Sequence, residues 1–254
     1  MNRDWICSRL KQVPGDAGFY YKNLVTGETL GQREDDLFQA ASVIKLPVYA
    51  AVQKLCQEGA ASMDETLLCR EEEKVPSCGA LQFFTGEPQV DIRTLCSLMI
   101  SLSDNTATNM LLRRFGLEAL NGQFREMGLE KTRLERLLFD SQAAALGREN
   151  RVTVREIGQL LERIYRHEFL SEAVSRQMEA LLLKQQIKHK IPGYLPKSIP
   201  VAHKTGEDSG ITNDMGIVYA DQPFILCFAF NGTDVPEAER AMREISLALA
   251  DTSP

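Results

Sequence analysis

The sequence predicts an α/β (α+β) chain: an antiparallel sheet built from both chain ends and flanked by terminal helices, with an all-helical lobe inserted between. Three observations point there. Aromatic and β-branched runs bounded by turn residues occupy the N-terminal end, a period near 3.6 takes over from residue 42, and strand character returns after Lys190. At 254 residues and 44% hydrophobic, the chain can bury a substantial core, and no repeat, low-complexity segment or linker divides it. One domain is expected, with an α/β lobe over about 1–38 and 190–254 and a helical lobe over about 39–189.

In chain order, residues 18–24 read as a strand, Thr26-Gly27 as a turn and residues 28–32 as the returning strand of a hairpin. From Ser42, the apolar stripe Val43, Ile44, Val48, Ala51, Val52 and Leu55 suits a buried helix ending near Glu58-Gly59. Pro47 lacks an N–H and is tolerated best in a first turn, which puts Ser42 close to the helix start. Helical patterns continue over 92–102, 106–115, 119–127, 154–165 and 172–184. Strands are expected over 199–204, 212–219 and 224–230, and Pro236 opens a last helix running through Leu249.

Charge and cysteine usage exclude several functions. A net charge of -6 argues against a nucleic-acid surface, and the run Glu71-Glu72-Glu73 reads as a solvated loop. No stretch approaches the roughly 20 apolar residues of a membrane span, and residues 1–10 lack the apolar core of a secretory signal, so the chain as written is placed in the cytoplasm; a removed leader would make it extracytoplasmic. The six cysteines show no C-x-x-C pairing and no histidine tract accompanies them, so neither a metal nor a cofactor is expected; Cys56, Cys96 and Cys227 read as small buried hydrophobes. His167, His189 and His203 are scattered and no G-x-S-x-G elbow exists, so histidine is not the expected base. A monomer is the default.

Three polar triplets carry the chemistry: Ser42-Val43-Ile44-Lys45, Ser103-Asp104-Asn105 and Lys204-Thr205-Gly206. Each has an ordinary structural reading, as a helix cap beside a solvated lysine, as a second set of caps, and as the end of a strand. Their ordered co-occurrence favours an acyl-transfer site. A serine hydroxyl needs a base, and a lysine serves when burial and nearby cations lower its pKa; the i, i+3 spacing puts Ser42 and Lys45 on one helix face. Ser103 is expected to relay a proton to the leaving group, and Asn105 to bind the substrate amide and steady Lys45. Lys204 and Thr205 are expected to hold a substrate carboxylate. Gly206 allows close approach, and the Glu207 N–H joins that of Ser42 in an oxyanion hole.

The triplets, in this order, resemble those of the penicillin-recognising serine enzymes, the class A β-lactamases and penicillin-binding proteins. Ala40 to Pro47 is similar to the class A nucleophile helix, and Lys204-Thr205-Gly206 followed by Thr212-Asn213-Asp214 to its active-site strand and return. The spacing is similar too, with 61 positions from Ser42 to Ser103 (103 − 42) and 101 from Ser103 to Lys204 (204 − 103). The resemblance implies a helical lobe beside an α/β lobe, no cofactor, and a small β-lactam or acyl-peptide substrate. It also implies that Val75 to Leu81 forms one cleft wall, with Cys78 at its rim.

The resemblance breaks at one position. Class A enzymes carry, between the second and third motifs, a glutamate that activates the deacylating water. Thr132 to Arg136 resembles the start of that loop and Arg148 to Thr153 its end, and the expected glutamate position is Leu138, an apolar side chain that takes no proton. Asp140 is the nearest acidic substitute, either a base or a residue that orders the loop. The leading expectation is therefore a β-lactamase-type serine hydrolase acylated on Ser42, with slow deacylation. A D-amino-acid peptidase or esterase would use the same groups, and a sensor acylated once without turnover is the reading from outside enzymology.

Overall fold

A computed structural model of the protein describes residues 3–251. The chain opens with helix α1 (Arg3–Lys11) and the hairpin β1 (Asp16–Asn23) and β2 (Thr29–Gln32), and closes with β7 (Val201–Asp208), β8 (Ile211–Val218), β9 (Phe224–Asn231) and α9 (Val235–Ala250). These strands form one antiparallel sheet in the order β2-β1-β9-β8-β7, so the two chain ends meet where β1 pairs β9 (Phe19 opposite Phe228). Between β2 and β7 come β3 (Phe38–Gln39), α2 (Lys45–Gln57), β4 (Thr66–Leu68), β5 (Gln89–Asp91), α3 (Ile92–Ser101), α4 (Asn105–Phe115), α5 (Leu117–Glu126), α6 (Ser141–Ala145), β6 (Arg151–Val152), α7 (Val154–Tyr165) and α8 (Glu172–Leu182).

Strand β9 shows why the sheet is central. Its alternate residues Ile225, Cys227 and Ala229 pack with Ile157 and Leu161 of α7, whereas Phe224, Leu226, Phe228 and Phe230 pack with Ile6 and Leu10 of α1 and Met242 and Ile245 of α9. A strand buried on both faces reads as a continuous apolar run, as 224–230 does. Arg9 of α1 also bridges to α9, 2.7 Å from Glu237 and 2.6 Å from Glu244.

Three expectations need correction. The middle of the chain is not all-helical: β4 pairs β5, and β3 pairs β6, as two-stranded ribbons too short to show a period of two. The helix expected from Ser42 begins as a 3₁₀ turn over Ala41–Ile44, entered through Ala41 at a left-handed φ of 43°, and becomes α-helical at Lys45; such tight turns are frequent at helix starts. Cys56 is only half-buried, while Cys69, Cys96 and Cys227 are buried. Among the described residues, no helix is long and apolar enough to cross a membrane.

Candidate active site

The turn that carries Ser42 is held from both sides. The Ala40 N–H donates to the Asn150 carbonyl at 2.8 Å, and the Asn213 amide donates to the carbonyls of Gln39 and Ala40 at 2.9 and 3.1 Å. The next turn of chain leaves Ser42 half-exposed and buries Lys45 completely. The Lys45 amine then meets four oxygens: Ser42 Oγ at 3.0 Å, the Ser103 carbonyl at 2.7 Å, Ser103 Oγ at 3.1 Å and Asn105 Oδ1 at 2.7 Å. The carbonyl and Oδ1 can only accept; Asn105 Nδ2 donating to the Pro76 carbonyl at 3.1 Å fixes that amide's orientation. A neutral amine has two N–H groups and one lone pair, so giving both N–H groups to these oxygens leaves the lone pair for the hydroxyl proton of Ser42 or Ser103. Burial, and after it the like charge of Lys204, holds the Lys45 pKa well below the usual lysine value and so favours that neutral form.

The second triplet caps a helix and contributes to the cleft as well. Asp104 is the N-cap of α4, accepting from the Ala107 N–H at 2.9 Å, and its other oxygen accepts from the N–H groups of Ala80 and Leu81 at 2.7 and 2.9 Å. That grip ties the 75–81 wall to α4. Gly79 fits because its φ is 107° and any Cβ there would lie 2.2 Å from the Asp104 carboxyl carbon. Ser103, at a left-handed φ of 55°, is thereby aimed between the two lysines.

The third triplet lies on β7, the sheet-edge strand. Lys204 is fully buried and donates to Ser103 Oγ at 3.0 Å and the Thr205 carbonyl at 2.7 Å. Burial pulls its pKa down from 10.5 to about 7, a shift that Lys190 reinforces and the Asp214 carboxylate opposes. Gly206 touches the Ser42 turn: a Cβ there would stand 2.9 Å from the Ala40 carbonyl and 3.1 Å from the Ser42 nitrogen. Lys204 and Thr205 are 0 and 1% exposed, so the part of this strand that lines the open cleft is its end, Glu207 and Asp208.

A cleft of about 610 Å³ opens above these groups, lined by Ser42, Cys78, Asn105, Leu138, Asp140 and Glu207 among others. Its far wall is the loop from Thr132 to Asn150, closed by the Arg136–Glu149 ion pair at 2.8 Å and by Asn150 Oδ1, which accepts from the N–H groups of Glu135 and Arg136. Asn109 clamps Leu138 through both backbone groups, each at 2.9 Å. Asp140 caps α6, its Oδ1 accepting from the Ala143 N–H at 2.9 Å, and it also lines the cleft.

Sequence reasoning missed what lies behind β7. Lys190, fully buried, donates to the Gly206 carbonyl at 3.0 Å and pairs with Glu207 at 3.1 Å, and the Asp214 carboxylate bonds His203 Nδ1 at 2.9 Å. Lys190 belongs to no motif and no spacing in the sequence brings it to Gly206, while Asp214, part of the Thr212-Asn213-Asp214 stretch, carried no expected role beyond that resemblance. Among the described residues, His189, Glu207 and Glu239 have ligand atoms close enough to hold a metal ion, but the Lys190 ammonium already supplies a cation to both carboxylates, 3.1 and 3.8 Å away.

A sequence model of the Beta-lactamase enzyme family matches residues 4–253. The β-lactamase of Streptomyces albus G is 28% identical over 215 residues, covering 80% of this chain and 67% of that one. The solved structure of PBP-A is similar with a TM-score of 0.88 and 30% identity, covering 98% of this chain and 94% of that one; a leucine-to-glutamate variant of it is an acyl-enzyme complex with penicillin G. The β-lactamase of Sphaerobacter thermophilus DSM 20745 has a TM-score of 0.89 and 26% identity, covering 98 and 96% of the two chains. A family match across almost the whole chain, over a fold that its relatives share, supports one conclusion: the chain belongs to the Beta-lactamase enzyme family, as a serine hydrolase of the class A β-lactamase-like type.

Proposed function

We propose that Ser42 attacks the carbonyl of a β-lactam or related acyl compound and that the resulting acyl-enzyme is long-lived. The observation that carries the reading is the Lys45 amine, buried among two obligate acceptors and two hydroxyls. Its lone pair takes the Ser42 proton as Oγ bonds to the carbonyl carbon, while the N–H groups of Ser42 and Glu207 receive the oxyanion. When the ring C–N bond breaks, the leaving nitrogen takes a proton from Ser103 Oγ, which is resupplied from Lys45 or Lys204, 3.1 and 3.0 Å away. Lys204 and Thr205 contribute the positive edge that draws a substrate carboxylate. That a protein of this fold forms an acyl-enzyme with penicillin G supports acylation here.

Deacylation needs a base for water, and the loop presents Leu138, clamped by Asn109. Asp140 lines the same cleft as the nearest acid, with Oδ1 given to the α6 cap. Intact-protein mass spectrometry after adding a penicillin is expected to show an adduct that persists in the wild type, is absent in Ser42→Ala, and in Leu138→Glu is lost faster by about a hundredfold or more. Drug consumption by the wild type without a lasting adduct would overturn slow deacylation, and loss of that consumption in Asp140→Asn would make Asp140 the base. The water-inert Leu138 also favours acyl transfer to an amine over hydrolysis, which keeps a D-amino-acid peptide substrate as the second reading.

A further inference from the structure

The tip of the 132–150 loop carries an anomaly that neither the turn nor the core requires. The Asp140 N–H returns to the Leu137 carbonyl, and inside that turn Phe139 takes a φ of 62°, a left-handed conformation that aromatic residues seldom adopt. Glycine or asparagine takes it at less strain. The flanking residues enforce the geometry: Leu138 is clamped by Asn109, and Asp140 is tied to the first turn of α6. Leu137 packs against the core, yet Phe139 remains 51% exposed, at the lining of the same cleft as Ser42. A large apolar side chain is thus kept half in water beside the nucleophile, although hydration of apolar surface is unfavourable. The cleft offers it apolar company in Leu138, Ala144 and Ile211, whereas Asp140, Glu207 and Asp208 line it with negative charge.

We propose that Phe139 determines specificity by packing against an apolar or aryl substituent on the acyl side of the substrate, the part that stays bound to Ser42 after the leaving group departs. The proposal rests on the reading that Ser42 is acylated, and it names the acyl donor that the cleft selects: a neutral aryl or alkyl side chain, with an anionic one disfavoured by the acids along the lining.

The test compares two β-lactams with the same ring nucleus, penicillin G, which carries a phenylacetyl group, and 6-aminopenicillanic acid, which carries none. Second-order rates of adduct formation, read by intact mass, are expected to favour penicillin G in the wild type by about tenfold or more, the factor expected when roughly half of a phenyl ring leaves water. Phe139→Ala and Phe139→Asn should each remove most of that preference while leaving the 6-aminopenicillanic acid rate within about twofold. Phe139→Asn preserves the left-handed turn, so agreement between the two variants assigns the effect to the ring. Equal losses for both compounds, or an unchanged preference, overturn the proposal while leaving acylation of Ser42 intact. Failure of the wild type to form an adduct with either compound overturns the underlying reading and the proposal with it.

Discussion

Lys204 combines two properties in tension: it is fully buried, and its pKa has fallen to about 7. Its charge is therefore present below that pH and lost above it. Second-order acylation by a β-lactam bearing a carboxylate should fall as pH rises through about 7, because that constant reports the free protein. Lys190→Met removes a like charge and should move the decline to higher pH. The methyl ester of the same β-lactam should lack the decline; an equal decline with the ester would mean that the Lys204 charge acts through Ser103 and not on the carboxylate. At this scale the sequence was partly legible. The i, i+3 spacing placed Lys45 at Ser42, where its amine also meets Asn105 Oδ1. The left-handed φ of Ala41, Ser103 and Phe139 was not legible, since each is imposed by tertiary hydrogen bonds on a residue whose own preference is elsewhere.

Among the elements, the contact between β7 and the 41–44 turn decides whether the two proposed oxyanion donors face one point. Gly206→Ala would drive a Cβ into the Ala40 carbonyl and the Ser42 nitrogen, both backbone atoms that cannot swing aside. The expected outcome is a loss of about a hundredfold or more in acylation rate with a stability cost of about 1–3 kcal/mol, checked by adduct kinetics and thermal unfolding. Wild-type acylation in this variant would sink the oxyanion assignment. The long helices could be read in the sequence because each repeats an apolar period over ten residues or so, and β9 because it is a continuous apolar run. Strands β4 and β5 could not, having three residues each. Lys190 was hidden for a related reason: its partners Gly206 and Glu207 lie 16 and 17 positions away (206 − 190 and 207 − 190) and meet it only through the 3₁₀ turn and loop that fold back against β7.

For the molecule as a whole, the buried lysines imply an unusual pH dependence of stability. The folded pKa of Lys204, about 7, lies below the 10.5 of the exposed group, and Lys45 is lowered in the same direction. Below about pH 7 both folded and unfolded states hold the Lys204 proton and the cost of burying that charge is borne in full; above it only the unfolded state holds it, so stability rises with pH. The rise should continue until the buried thiols of Cys96 and Cys227, whose pKa values burial pushes above the usual 9.0, begin to ionise in the unfolded chain and oppose it. Urea midpoints should therefore be higher at about pH 8.5 than at pH 7, and Lys204→Met should flatten the slope and stabilise the protein at pH 7 by about 1–3 kcal/mol. A slope unchanged in that variant would mean that other groups set it.

The edge position of β7 has a consequence for association. A sheet's outermost strand is a template on which another chain can add, and β7 ends in the exposed carboxylates of Glu207 and Asp208. Two copies approaching edge to edge would bring these like charges together, while a short extended ligand pays no such penalty. The seam that admits a substrate is therefore protected by repulsion against strand-to-strand aggregation.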